Sequence, residues 1–507
     1  MPRSNRAARE LASCFTLGVT LFAASLPASC AWAGAPLPAT PDAWRLAATT
    51  DIDAAVRLTR ENHPGMHDPR NPGFVAKLEA AHEHALALAS RVNGPMGYMA
   101  ALEGFNMRLG DGHAGVFSTM EGVALPAARW PGFVTVWRGD ALYVYATQDG
   151  QPAAGSKLLA CDGKPAVQLI KENVFSFKGR VAEPGQWWLA RNLFIDWHNP
   201  FIQLPQRCSF EANGKVAAHA LVWRSMDDEG ERWRAESRDG GTHPVGITEP
   251  RKNLFWVSMP TFQPDEGERA AYRAINREID TQRARYLGAD AVVIDLRKNQ
   301  GGSSLWSTDF ASALWGKERV ARARAAYSAK TDIWWRASPG NTGYVVDMAD
   351  TLAREGHPET AARTNITAEG MRGALARGEP FYVEKKSPPD APGKADDTAD
   401  EVAPFSRPVY VIVPGNCVSS CLNAVDIFTR FPNTTLVGAP SSADSTYMEV
   451  RQQDLPSGLS KVILPTKVYV NRPRGNGQVY HPKLPVLDVA WSTQTLLKVV
   501  EGDLARH

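Results

Sequence analysis

Apolar residues recur at three- and four-residue steps in two early segments of the chain, 74–92 and 96–109. This period places the apolar side chains on one face of a helix. Three prolines interrupt the pattern: Pro64, Pro69 and Pro72. Since proline ends or breaks a helix, the pattern predicts several short helices and an all-helical N-terminal domain over residues 42–118.

Further along the chain, the spacing of apolar positions changes to that of strands. Segments 133–137 and 141–145 flank Arg138-Gly139-Asp140, which is typical of a β-hairpin. Segment 155–167 contains a glycine-led strand, an Asp-Gly turn and a short helix, an order that resembles part of a PDZ module. We expect a β-rich, PDZ-like domain over residues 123–230. The alternative is another small β-unit with the same turn.

The last half of the chain alternates strands with helices. Strands are predicted at 254–259, 289–296, 409–413 and 435–438. The apolar centre of the second is typical of a strand buried in a parallel sheet, and strands separated by helices indicate a layered domain. We therefore predict a multidomain α/β protein with its core over residues 245–500. A polar insertion at about 320–404 interrupts that core and contains a predicted mobile loop at 385–401.

The composition is that of a globular protein, with 44% of the 507 residues hydrophobic and 22% charged. The formal net charge is only +2, which argues against a nucleic-acid partner because such a partner requires a strong basic field. No run inside the body of the chain reaches the roughly 18 apolar residues of a membrane span. We expect no integral membrane segment in the processed chain.

The N-terminus has the pattern of a secretory signal peptide. Three arginines give a positive start, a short apolar run follows at 11–26, and Ala31-Trp32-Ala33 forms a small-x-small cleavage site before Gly34. Residues 1–33 are therefore predicted to be removed on export to the periplasm or the cell exterior. The alternative is a short membrane anchor, which the length of the apolar run disfavours.

Four cysteines remain after removal of the leader: Cys161, Cys208, Cys417 and Cys421. An even number in an exported chain permits two disulfides, and the sequence leaves the pairing open. No Cys-x-x-Cys pair occurs, and the two histidines of His82-Glu83-His84 lack the i, i+4 spacing of a zinc-protease helix. We expect neither a metal nor another cofactor.

One candidate for catalysis follows the buried strand that ends near Ile294. The string continues through Asp295 and Arg297 to Gly301-Gly302. Glycines after such a strand let backbone N–H groups point into a site without a Cβ in the way, as an oxyanion hole requires. A plain strand-to-helix turn is the alternative interpretation.

Two further strings supply a nucleophile and a base. Ser420 stands where a buried strand gives way to a helix, so its oxygen lies near unpaired N–H groups and the positive end of the helix dipole. Ser419 or Ser420 acting only as a helix N-cap is the alternative. His113 follows a Gly-Asp-Gly turn that includes Asp111 and is available as a base; a structural histidine is the alternative.

Together these strings resemble the tail-specific, C-terminal-processing serine peptidases, in the branch with the tricorn-protease core. The resemblance is carried by Asp295–Gly302, Ser420 after an apolar strand, Val437-Gly438 and Asp111-Gly112-His113. It implies a core like that of the ClpP/crotonase-type fold.

The resemblance also implies roles for individual residues. Ser420 would be the nucleophile and His113 the general base. The N–H of Cys421, with that of Gly301 or Gly302, would bind the oxyanion. The buried pair Asp295 and Arg297 is expected to be structural.

The sequence departs from the family pattern at two positions. The family's better-known branch carries a lysine base shortly after the Val-Gly pair, and here the corresponding place falls near Asp444. The tricorn-like branch has a late glutamate that orients the catalytic group, where this chain offers only Gln478 or His481. Gln478 and Asp111 are accordingly the supporting residues predicted around Ser420 and His113.

We therefore expect an exported serine peptidase that cleaves protein or peptide substrates through an acyl-enzyme. The missing lysine and glutamate keep open a catalytically silent member that binds extended peptides through its β-unit. An acyl-CoA enzyme is a third possibility, because that superfamily shares the core fold. The predicted leader argues against it, since coenzyme A is cytosolic.

Overall fold

The structure, a computed structural model, describes residues 36–121, 123–241, 243–384 and 402–506. The predicted leader, with Cys14 and Cys30, and the predicted mobile loop at 385–401 lie outside the described residues. Within the described ranges, no helix is both long and apolar enough to cross a bilayer.

Helices form the first part of the chain. They are α1 (Pro41–Asn62), α2 (Phe74–Ala89) and α3 (Pro95–Leu109). The Thr40 side chain caps α1 by accepting the Ala43 N–H, and α3 ends at Gly110, whose φ of 65° reverses the chain. The chain then enters the short strand β1 (Gly115–Ser118), two residues after His113.

An antiparallel β-unit follows. Its strands and those of a small pair beside it are β2 (Arg129–Trp130), β3 (Phe133–Arg138), β4 (Ala141–Thr147), β5 (Lys157–Cys161), β6 (Lys164–Pro165), β7 (Arg207–Ala212), β8 (Lys215–Ala220) and β9 (Arg224–Ser225). The main sheet has the order β3-β4-β5-β7-β8, with α4 (Ala166–Ile170) after β6. Cys161 and Cys208 are directly opposite on β5 and β7 and form a disulfide. The PDZ-like identity of this unit stays a prediction.

The remaining chain builds two further sheets and the helices that cover them. The strands are β10 (Gly246–Arg251), β11 (Leu254–Ser258), β12 (Ala291–Asp295), β13 (Asp332–Arg336), β14 (Phe381–Val383), β15 (Val409–Val413), β16 (Thr434–Gly438), β17 (Tyr447–Asp454), β18 (Ser460–Val470) and β19 (Leu484–Pro485). The helices are α5 (Asp228–Asp239), α6 (Glu266–Thr281), α7 (Arg283–Leu287), α8 (Leu305–Trp315), α9 (Lys317–Ser328), α10 (Pro339–Arg354), α11 (Pro358–Ala376), α12 (Ser420–Phe428) and α13 (Thr493–Leu504). The architecture is thus mixed α/β with several sheets.

The central sheet has the order β10-β11-β12-β15-β16-β19 and is parallel from β11 onward. Every residue of β11, β12 and β15 is buried, as expected for strands covered on both faces. Alternate side chains pack against α6, α8 and α12 on one face and against α13 on the other. Because parallel strands share a carboxyl edge, the loops after β12 and β15 lie side by side.

A second, antiparallel sheet joins the short strand after the N-terminal helices to strands from the second half of the chain. Its order is β1-β18-β13-β14, and β17 also pairs with β18. Gly115 of β1 lies opposite Ile463 of β18, so the His113 turn is held against the C-terminal part of the chain. The predicted polar insertion contributes β13 and β14 to this sheet and also contains α10 and α11, so much of it is regular structure.

Candidate active site

The end of β12 carries a buried ion pair. Arg297 Nη2 lies 2.6 Å from Asp295 Oδ2, and both side chains are inaccessible to solvent. The same guanidinium donates to the carbonyl oxygens of Gly241 at 3.0 Å and Trp491 at 3.1 Å. The pair therefore holds the strand end against two neighbouring segments, and its hydrogen-bonding groups are used in that structural role.

The double glycine that follows lies against the serine turn. The φ angles of Gly301 and Gly302 are 97° and 125°, values that residues with a side chain rarely adopt. A Cβ on Gly301 would lie 2.9 Å from both the Ser419 Cβ and the Ser420 nitrogen. Only glycine lets this loop approach the start of α12 so closely.

Some backbone N–H groups of the glycine loop and of the start of α12 already donate to other acceptors, so they are not available to an oxyanion. The Gly301 N–H donates to Asn299 Oδ1 at 2.9 Å, and the Cys421 N–H donates to the Val418 carbonyl at 3.0 Å. The N–H groups of Gly302 and Ser420, by contrast, have no acceptor in the described part of the chain. In this structure the N–H groups of Gly301 and Cys421 are therefore already paired, whereas those of Gly302 and Ser420 are open to a ligand.

Ser420, the predicted nucleophile, is the first residue of α12 and is buried. Its hydroxyl donates to the Gly302 carbonyl and accepts a hydrogen bond from Ser304 Oγ at 3.1 Å. Asn423 Nδ2 in turn donates to Ser304 Oγ at 3.0 Å. The Ser420 hydroxyl is thus part of the hydrogen bonding that holds the glycine loop on the helix.

Ser419 has a different environment. It occupies the N-cap position of α12, yet its side chain accepts no N–H of the first turn, whereas Asp265 and Ser338 do so at α6 and α10. Its backbone has φ 53° and ψ −124°, a combination that costs about 1–3 kcal/mol for a residue with a side chain. A half-buried serine at a strained strand-to-helix turn matches the nucleophile elbow of hydrolases.

A disulfide spans this turn. Cys417 and Cys421 are fully buried and joined, with their Cα atoms 5.3 Å apart. The pairing that the sequence left open is therefore Cys161 with Cys208 and Cys417 with Cys421.

His113 is buried in the turn between α3 and β1. Its backbone N–H donates to Asp111 Oδ1 at 2.8 Å. Its ring Nδ1 lies 3.1 Å from Asp444 Oδ1 and 3.4 Å from Ser445 Oγ. The histidine is therefore oriented by residues that follow β16, at the place where the family pattern has a lysine.

The side chain of Asp111 does not take part in the contact between His113 and Asp444. Its Oδ2 lies 3.0 Å from Nε2 of the buried His63, which stacks on Phe74. Burial works to raise the pKa of Asp111. The hydrogen bond and charge of His63, together with His113, nevertheless hold that pKa below its ordinary value. Asp111 thus stays a carboxylate that fixes the backbone of the His113 turn.

Neither of the two residues considered for the missing glutamate contacts His113. Gln478 Oε1 accepts the Gly475 N–H at 2.9 Å, so its side chain folds onto its own turn. His481 is exposed.

Arg474 connects the region of His113 to the serine helix. It is almost fully buried, donates to Asn423 Oδ1 at 3.0 Å and Asp426 at 3.2 Å, and lies 3.8 Å from Asp444 Oδ2. Although burial works to lower the pKa of Arg474, the carboxylates of Asp426 and Asp444 raise it, so the guanidinium stays charged. Sequence reasoning gave no role to either Arg474 or Asn423: Asn423 lies in the serine segment but is not a residue type that attacks or accepts a proton, and Arg474 lies outside the catalytic segments.

Residues 254–478 match the sequence model of Peptidase family S41. This range contains the double glycine, both serines, Asp444 and Arg474, but it does not include His113.

Among solved structures, the chain is similar to mature CPAF with 14% identity and a TM-score of 0.58, over 91% of this chain and 96% of that chain. It is equally similar to mature CPAF complexed with lactacystin, with 14% identity and a TM-score of 0.57 over 91% and 97% of the two chains. At this identity the likeness shows a shared fold. No curated protein matches the sequence significantly.

Proposed function

We propose that the chain is an exported serine peptidase that cleaves protein or peptide substrates through an acyl-enzyme, since residues 254–478 match the model of Peptidase family S41. That match supports a serine peptidase. Export rests on the leader pattern at residues 1–33, and the acyl-enzyme rests on the serine turn.

The nucleophile in this proposal is Ser419 rather than its neighbour Ser420. The observation that carries it is the strained backbone of Ser419 at the N-cap of α12, combined with a hydroxyl that caps nothing. Strain of this kind persists where the surrounding structure enforces it, and it is concentrated at functional sites. The hydroxyl of Ser420, by contrast, donates its proton to the Gly302 carbonyl.

The oxyanion site then consists of two backbone N–H groups. In a nucleophile elbow, the residue after the serine supplies one donor, which here is Ser420. Gly302, whose N–H also has no acceptor in the described ranges, supplies the other. Such preorganised donors stabilise the negative charge that develops on the carbonyl oxygen.

His113 is the general base. The Ser419 oxygen forms a bond to the carbonyl carbon while its proton moves to the imidazole Nε2, and the π electrons move to the carbonyl oxygen. When the tetrahedral intermediate collapses, the C–N bond breaks and the leaving amine takes the proton from Nε2. Water then repeats the sequence on the acyl-enzyme and releases the second product.

Covalent labelling tests this proposal. A fluorophosphonate probe should label the mature wild-type chain, and peptide mapping should find the adduct on Ser419. Ser419→Ala should abolish labelling, while the matched variant Ser420→Ala should still be labelled. An adduct on Ser420 would return the nucleophile to the position predicted from sequence. A folded chain that takes no label and cleaves no peptide would instead be the silent peptide-binding member.

A further inference from the structure

The contact between His113 and Asp444 is not indicated by any of the sequence segments that carry the family resemblance. Asp444 Oδ1 lies 3.1 Å from the Nδ1 atom of His113, on the side of the imidazole away from Nε2. Both side chains are more than nine-tenths buried. An ionised carboxylate can only accept hydrogen bonds, so this contact favours the tautomer with its proton on Nδ1.

On the basis of the serine peptidase function proposed above, we propose that Asp444 is the positioning residue of His113. It holds the imidazole with Nε2 as the basic nitrogen and stabilises the imidazolium during proton transfer. The catalytic group would then be Ser419, His113 and Asp444. Asp444 acts only through the imidazole and touches neither the substrate nor the reacting atoms.

Hydrogen bonds fix the position of Asp444, as is needed for a residue that orients His113. Its Oδ1 accepts the N–H of Ser445 at 3.0 Å, and its backbone carbonyl accepts the N–H of Gly477 at 2.9 Å. These bonds fix both the main chain and the carboxylate beside His113. A free surface aspartate would rotate among several rotamers instead.

The second carboxylate oxygen of Asp444, Oδ2, is also buried, and it faces a cation. The Nη1 atom of Arg474 lies 3.8 Å from it. An opposite charge at this distance helps to offset the cost of burying the carboxylate beside His113.

Arg474 also places this carboxylate relative to the serine helix. The same guanidinium binds Asn423 and Asp426, and Asn423 is one helical turn from Ser419. The path from His113 to the nucleophile turn therefore passes through Asp444, Arg474 and Asn423. This arrangement couples the orientation of the base to the position of the helix that carries the nucleophile.

Other acidic residues near His113 have different partners. Asp111 binds the His113 main chain and His63. Glu449, whose charge reaches His113, forms an ion pair with Lys467 at 2.8 Å. Among the described residues, the charged groups near the imidazole include Asp444 with Arg474, Glu449 with Lys467, and Asp111 with His63. Of these three carboxylates, that of Asp444 lies 3.1 Å from a ring nitrogen.

Kinetics of Asp444 variants test the assignment, using the full mature chain and a peptide substrate. Asp444→Asn should lower kcat by roughly a hundredfold or more, the scale of losing general-base catalysis, with KM nearly unchanged. Asp444→Glu should recover part of kcat, because it restores a carboxylate beside the ring.

Asp503→Asn is the matched control, because Asp503 is also a buried aspartate and binds Tyr410 on the face of the central sheet covered by α13. It should leave kcat near wild type. If Asp444→Asn does not fold, proton NMR of Ser419→Ala replaces it: a low-field Nδ1–H resonance should be present and should vanish in Ser419→Ala/His113→Ala.

Two results overturn the assignment while leaving the proposed function intact. One is a labelled, active wild type whose Asp444→Asn variant keeps kcat. The other is a Ser419→Ala spectrum without that resonance. Failure of the wild type to take the fluorophosphonate would instead overturn the proposed function itself, so the two failures are distinguishable.

Discussion

Cys417 is disulfide-bonded to Cys421, and the turn between them carries Ser419. The second disulfide, Cys161 to Cys208, joins residues 47 positions apart in the β-unit. Because the entropy that a cross-link removes from the unfolded chain grows with loop length, the longer loop contributes about 4 kcal/mol and the shorter about 2 kcal/mol. The short disulfide is therefore better suited to shaping the turn than to stabilising the fold.

Replacing each disulfide by an alanine pair should separate these roles. Cys417→Ala with Cys421→Ala should lower kcat by at least roughly tenfold, because small displacements of reacting groups are costly. Cys161→Ala with Cys208→Ala should lower the free energy of unfolding more but leave kcat close to wild type. Urea unfolding and steady-state kinetics on both variants measure the two effects. Equal losses of kcat in both would contradict a special role for the Cys417–Cys421 bond.

Gly301→Ala should damage the site through contact as well as through backbone strain. The added methyl group would collide with Ser419 and with the Ser420 nitrogen, displacing the nucleophile turn and lowering kcat by roughly a hundredfold. Gly378→Ala is the control, since Gly378 has a φ of 72° but a Cβ added there would meet nothing within 4 Å. It should cost about 1 kcal/mol of stability from the left-handed backbone alone, with kcat retained.

His113→Ala should lower kcat by a factor of roughly a hundred or more, the scale of losing a general base. In the wild type, kcat/KM should rise with pH as the imidazole loses its proton, because only the neutral ring accepts the serine proton. Steady-state assays across the pH range check both expectations. Turnover near wild type in His113→Ala would show that His113 is not the general base, and Lys461 and Lys467 would then be the next candidates to test.

Asp111→Asn should lower stability in a pH-dependent way. The pKa of Asp111 is depressed in the folded state by His63 and His113, although burial opposes this. The carboxylate therefore stabilises the fold above its unfolded pKa of about 3.9, and this contribution is lost as pH falls through the folded value. Urea unfolding should show a difference of about 1–3 kcal/mol between wild type and variant at neutral pH. The difference should shrink on strong acidification; a constant gap would contradict the assignment.

Sequence reasoning identified the parts of the site that depend on local pattern. The glycine loop after β12 and the serine pair at the start of α12 both follow buried strands, and parallel strands bring their carboxyl ends together. The choice between Ser419 and Ser420 depends on one backbone conformation and on where each hydroxyl points. Composition and periodicity carry no information about either.

The contact of Asp444 with His113 was beyond sequence reasoning for a different reason. It depends on β1 pairing with β18, two strands far apart in sequence, and no local pattern specifies such a pairing. The family pattern drew attention to Asp444 only as a missing lysine. In the same way, the polar composition of residues 320–404 predicted a loose insertion, although several of its segments pair in a sheet or pack as helices.

The pairing of β1 with β18 also determines when, during synthesis of the chain, the proposed catalytic group can be complete. A ribosome makes His113 early, then the two serines, and Asp444 and Arg474 only in the last part of the chain. In the proposed mechanism, the base has no fixed orientation until β18 has been made and has paired with β1. In that mechanism, a chain still in synthesis lacks an oriented base and would not cleave the proteins that make it. Activity would begin only when β18 has paired with β1.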